Sequence, residues 1–325
     1  MLQRKSLSLV VPAVTLAVAG LVGAGVIAFR EFTRLGFRNS PPTARAHTTS
    51  GDASTRLHSL VERGSHSRQM GRYKEAEPLL REALTLAQGT FGDSFETAAV
   101  LNQLGMLGKY DGHFDEAEAA YRRALRITEQ TVGLEHQLAA TLFHNLGGLE
   151  HARGRFAAGE PHARRSVEIR ERLLGPDHTD TAADVAALAA LLDGQRKYDE
   201  AEAMYRRALS VFERAYGPEH YEIAVNLNNL AALCHATGRT GEAERLYLRA
   251  LSIKEKLLGA KHPDVGVTLN NLAVFYKSQQ RFAEAAQLYQ RALDIFESSL
   301  NPAHPKVITC RENYESLLRE MNRRS

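Results

Sequence analysis

The chain has 325 residues and only two cysteines, Cys234 and Cys310. Two thiols so far apart make no disulfide framework and indicate no compartment. At core-type helix positions they read as buried thiols. The motifs of common chemistries are missing as well. There is no GxxxxGK[ST] loop to cradle phosphates, no GxSxG nucleophile turn, no CxxC pair and no HExxH. Catalysis is therefore not expected, and neither is a cofactor, a metal or a small-molecule substrate. Blocks of like charge are also lacking, so no acidic or basic tail is present.

The formal net charge of +3 hides an uneven distribution. Residues 1–50 hold Arg4, Lys5, Arg30, Arg34, Arg38 and Arg45 against the single acid Glu31, which leaves 35 basic and 37 acidic side chains in the remainder. A near-neutral body argues against nucleic acid as a partner, because phosphate binding needs clustered Lys and Arg.

One long apolar run stands out, residues 7–29, which are 23 residues without a charge. At about 1.5 Å per residue this run would cross a hydrocarbon core of roughly 30 Å. The expectation is a membrane anchor over residues 1–29 with the bilayer as partner, giving a single-pass, N-terminally anchored protein. A cleaved secretory signal is the other reading. Arg4 and Lys5 would be its basic start and Ala17-Val18-Ala19 its cleavage site, leaving a secreted or periplasmic form. The run continues ten residues past Ala19 and ends at Arg30, which favours the anchor. Basic residues on both sides leave the orientation open. Residues 39–55 combine Pro, Ser, Thr and Gly without apolar periodicity, so residues 30–55 read as a flexible linker.

The rest of the chain repeats. Residues 259–300 read as two amphipathic helices broken at Ser278-Gln279-Gln280-Arg281. Val265, Leu269, Leu272, Ala273 and Tyr276 line one face, and Phe282, Ala285, Tyr289, Ala292 and Phe296 the other. Upstream, Ala117, Gly159, Ala201, Ala243 and Ala285 recur in steps of 42, as do Leu104, Leu146, Leu188, Leu230 and Leu272. A worn copy precedes these near Ala76. Such a period predicts an all-α solenoid of stacked antiparallel helix pairs, with an N-terminal transmembrane helix before it. About six repeats plus a C-terminal capping helix would fill residues 56–325. Val307, Tyr314, Leu317, Leu318 and Met321 should face the last repeat. Asp115 with Glu118, and Asp199 with Glu202, have the form of capping boxes. Glu118 and Glu202 also stand four residues before Arg122 and Arg206, a favourable ion-pair spacing. Pro161 reads as lying in a first helical turn. Gly159 and Ala163 replace the usual Ala and Tyr, which should loosen that repeat.

The pattern Leu269, Leu272, Ala273, Tyr276, Ala285, Tyr289, Ala292 resembles the tetratricopeptide repeat signature. The period of 42 rather than 34, with HPD…LNNLA…LYQRAL, looks like the kinesin light chain subclass. The resemblance covers roughly residues 56–320. Motor association is not carried over, since no heptad coiled coil precedes the repeats. It implies a scaffold or adaptor that binds protein or peptide partners in a concave groove lined by the first helix of each pair. An assembly factor or co-chaperone for a membrane complex is the alternative. The co-chaperone carboxylate clamp would map to Ala99, Thr141, Ala183, Val225 and Val267, none a cation.

In that frame the groove candidates are His144 and Asn145, Asn228 and Asn229, and Asn270 and Asn271, with Lys109 and Lys277 at its edge. An amide both donates and accepts, so it can pair with any peptide backbone. The other reading of these Asn residues, and of Asn102 above all, is bonding between neighbouring helices. His136, His178, His220, His262 and His304 occur once per repeat. One ligand per repeat does not converge on an ion, so they read as loop structure.

Overall fold

The computed structural model describes residues 47–324. Residues 7–29 lie outside them, and among the described residues no helix is long and apolar enough to cross a membrane.

Thirteen helices account for nearly all of the described chain: α1 His47–Gln69, α2 Tyr73–Phe91, α3 Phe95–Asp111, α4 Phe114–Thr131, α5 Gln137–Ala152, α6 Phe156–Leu174, α7 Thr179–Gly194, α8 Tyr198–Tyr216, α9 Tyr221–Ala236, α10 Thr240–Leu258, α11 Pro263–Ser278, α12 Phe282–Ser299 and α13 Pro305–Arg324. They pair as expected into six hairpins and a terminal helix. Each odd helix packs on the even helix that follows and on the next odd helix, so the odd helices form an inner layer and the even ones an outer layer. The first helix starts at His47, so 47–55 is helix where a linker was expected. Continuing the helix satisfies backbone groups that a linker would leave to water.

The period has a packing cause. Tyr121, Tyr205, Tyr247 and Tyr289 on the even helices are buried against the small residues Gly105, Ala189, Ala231 and Ala273 on the odd ones. A Cβ on Gly105 would fall 2.5 Å from the Tyr121 ring, so this tyrosine sits closer to its partner helix and would have to shift to admit the alanine of the later repeats. The third pair has Ala163 in place of Tyr, packed against Gly147, and Leu191 of the next pair lies so close to Gly159 that a Cβ there would come within 2.6 Å of it.

Helix ends show what the local rules missed. The five histidines cap the odd helices: Nδ1 accepts from the backbone N–H two residues on, at 3.1 Å for Leu138, Asp180 and Asp264, 3.3 Å for Glu222 and 3.0 Å for Lys306. Ser94 does the same for α3. The even helices have no side-chain cap: α4 and α8 begin after His113 and Lys197, so Asp115 and Asp199 lie inside the first turn and do not form capping boxes. The acids still sit at the positive end of the helix dipole. Glu118 and Glu202 turn to arginines, Arg122 at 2.8 Å and Arg206 at 2.9 Å. Pro161 is the sixth residue of α6, past the first turn. The turn between paired helices needs a left-handed residue. Gly112, Gly154 and Gly238 supply it, and Arg196 and Gln280 adopt φ of 64° and 60° at the equivalent positions.

Along α13, Val307, Cys310 and Leu317 are buried on the last repeat, whereas Leu318 is exposed. The superhelix also meets itself. His262 Nε2 is 3.4 Å from the Gln69 carbonyl oxygen, and His304 Nε2 is 2.7 Å from that of Tyr110. Contacts across 193 and 194 residues seat the turns after α1 and α3 on the starts of α11 and α13.

Candidate functional site

The inner face of the odd helices is polar, and its polar groups are buried. Asn145, Asn228, Asn229, Asn270 and Asn271 are all 7% exposed or less. Their amides run from helix to helix. Asn145 Nδ2 donates to Asn102 Oδ1 at 2.7 Å, and Asn271 Nδ2 to Asn228 Oδ1 at 3.4 Å. Asn313 of α13 extends the row to Asn270 at 3.4 Å, and within each pair Asn228 donates to Asn229 and Asn270 to Asn271. Of the two readings of these amides, the bonds are those of the second, between neighbouring helices: a buried amide must find a partner, and the nearest is its counterpart one repeat away. Asn145 Oδ1 is an exception, a buried acceptor without a donor among the described residues.

The row breaks at α7, where Ala186 and Ala187 replace the Asn pair. Charge takes over there. His144 Nδ1 lies 2.6 Å from Asp184 Oδ1, and both side chains are 1% exposed. Arg170 Nε donates to Asp184 Oδ2 at 3.0 Å and Nη2 to Thr141 Oγ1 at 3.0 Å. Burial pushes the Asp184 carboxyl up, but Arg170 and His144 outweigh it and hold Asp184 below the usual carboxylate range. His144 is therefore part of a buried ion network rather than a groove surface. Sequence reasoning missed Arg170 and Asp184. The signal was present, since Asp184 occupies the place of Leu142, Asn226 and Thr268, and Arg170 that of Thr128, Phe212 and Phe296.

The edge residues separate. Lys277 is half-buried and donates to Ser316 Oγ at 2.8 Å. Lys109 is buried, its Nζ 5.1 Å from the centre of the Tyr110 ring. Burial first, then the neighbouring Arg68 and Lys306, lower the Lys109 ammonium to about 7. Burial alone raises Asp193 to about 7, and burial with Lys109 lowers His151 to about 4. Such groups have unusual protonation, but they spread along several helices and converge on no reacting atom. No group of three or more His, Cys, Asp or Glu among the described residues could hold a metal ion. Cys234 and Cys310 are buried and unpaired, and burial pushes their thiols up to about 11 and about 12.

Residues 55–130, 138–213, 183–256 and 264–325 match the tetratricopeptide repeat model. The chain belongs to the tetratricopeptide repeat family. Its period of 42 is consistent with the kinesin-light-chain-like subclass. No curated protein matches the chain. Among solved structures, BtubC (BKLC) from P. vanneervenii is 24% identical with a TM-score of 0.50, over 74% of this chain and 91% of that one. A Rap protein complexed with Competence and Sporulation Factor is 14% identical with a TM-score of 0.66, over 91% and 88%. Aspartyl phosphate phosphatase F from Bacillus subtilis is 11% identical with a TM-score of 0.54, over 90% and 79%. At these identities the likeness concerns the fold.

Proposed function

We propose that this tetratricopeptide array is a protein-binding scaffold that takes a partner polypeptide along the inner face of its odd helices. One observation carries the reading: that face is built of amides and charges, and Asn145 Oδ1 is a buried acceptor still without a donor among the described residues. A polypeptide backbone offers N–H and C=O groups that such a face can pair. The Rap protein captured with a bound factor supports the use of this fold for binding. Residues 7–29 anchor the array beside its partner in the bilayer.

Two measurements test this. Membranes carrying the full chain should retain it through high-salt and carbonate washing; release of the chain would remove the anchor from the account. For the groove, partners captured by the full chain from detergent-solubilised membranes should be lost with Asn145→Ala and Lys277→Ala. Asn145→Ala, which loses a buried bond, should cost about 1–2 kcal/mol and half-buried Lys277→Ala less than about 1 kcal/mol, neither enough to unfold the array. Capture unchanged in both variants would move the site off the inner face.

A further inference from the structure

The seam where the superhelix meets itself holds an excess of buried positive charge. Arg68 ends α1 and Lys109 nearly ends α3; both are 3% exposed. Their cationic heads lie over the same Tyr110 ring, at 5.7 and 5.1 Å from its centre. The Tyr110 carbonyl oxygen in turn meets His304, which caps α13 two residues before Lys306. Lys306 is itself buried, in the first turn of that helix.

No carboxylate among the described residues pairs with Arg68 or Lys109. Arg68 Nε and Nη2 are buried without a hydrogen-bond partner. The groups closest in charge terms to Arg68 are Tyr73, Tyr110 and Tyr121. The nearby carboxylates are engaged elsewhere: Asp264 accepts from Tyr221 at 2.6 Å and faces Lys306 and Lys254, and Glu222 also faces Lys254. The repeat makes the imbalance visible. Asp180, Glu222 and Asp264 occupy the second position of α7, α9 and α11, and in α13 that position is Lys306. A cation at a helix start opposes the dipole, and a buried guanidinium with no acceptor is costly. An anion on these groups removes both penalties.

We infer that the junction of α1, α3 and α13 is an oxyanion site, taking a phosphate or carboxylate group on Arg68 and Lys109 with Lys306 alongside. It is distinct from the concave-face positions Ala99, Thr141, Ala183, Val225 and Val267. Its donors come from both ends of the array, so an occupant ties the first two repeats to the terminal helix and holds the superhelix closed. Entry requires only the parting of the seam that His262 and His304 close. The lowered Lys109 fits this picture, because an anion beside it restores the full charge.

Melting of the full chain tests the inference with two probes, inorganic phosphate and a tetraglutamate peptide with neutral ends, each against chloride at equal ionic strength. The chain should gain roughly 5 °C, saturably, with at least one probe. A response to phosphate identifies a free or phosphate-borne anion as the occupant, and a response to the peptide alone a carboxylate on a polypeptide. Arg68→Met, Lys109→Met and Lys306→Met should each lose the gain, and in chloride should melt no lower than the parent. Equal gains in parent and variants would mean a general salt effect and overturn the site. So would variants that melt far below the parent in chloride, since the cations would then hold the fold without an anion.

Discussion

The middle of the array and its C-terminal end solve one problem with different chemistry. From α9 to α13 the inner helices are joined by neutral amides, Asn228 to Asn271 and Asn270 to Asn313. From α5 to α7 the joint is a buried carboxylate, Asp184, which meets His144 of α5 and is paired with Arg170 of α6. The outer face repeats a third solution, with arginines reaching acids one repeat away. Arg239 clasps Glu202 with two bonds of 2.7 Å, and Arg249 meets Glu213 at 2.9 Å. The same helix stacking thus tolerates a buried ion network, a buried amide row and exposed ion pairs. The difference lies in what each costs when broken.

The ion network should be the most sensitive. Asp184→Ala removes the closest carboxylate of buried Arg170, leaving it Asp180 at 3.7 Å, and should lower stability by roughly 3 kcal/mol in chemical denaturation. Arg170→Phe with Asp184→Asn copies the next repeat, Phe212 and Asn226, and should recover most of that loss. Failure to recover would mean that the network does more than fill its place. The network also has a pH sign. The folded Asp184 carboxyl is held below its ordinary value, so its contribution is present above the unfolded pKa and is lost as pH falls through the folded one. The double variant should therefore resist acid better than the parent.

The amide row comes second. Asn271→Ala removes the donor to Asn228 and the acceptor from Asn270, and should cost about 1–2 kcal/mol with little pH dependence. A loss as large as that of Asp184→Ala would erase the distinction between the two regions. Smallest is the outer face. Arg239→Ala removes a two-bond pair from a side chain 35% exposed, where solvent screens it, so thermal melting should register about 1 kcal/mol at most, and less in high salt.

These regions differ in how legible they were. The period of 42, the helix pairs and the breaks between them stand in the sequence because most copies repeat the same Leu, Ala and Tyr spacing. The histidines were recognisable as one structural set, though capping was not, since His is an unusual cap beside Ser or Asp. Inner-face direction was also legible for the Asn pairs. Their burial was not: it depends on how tightly adjacent inner helices approach and on the array meeting itself, and neither appears within one repeat. Arg170, Asp184, Arg68 and Lys306 were missed for the opposite reason, as departures from the repeat whose partners lie on other helices.

The contact of the array with itself is the longest-range feature of the fold, and it can be measured directly. Spin labels at Arg72 and Lys261 would flank the seam between Gln69 and His262. The buried thiols Cys234 and Cys310, raised to about 11 and about 12, should stay unlabelled near neutral pH. Pulsed dipolar spectroscopy on the full chain should give one narrow, short distance. A broad distribution at long distances would show an open solenoid and contradict the contact of the array with itself.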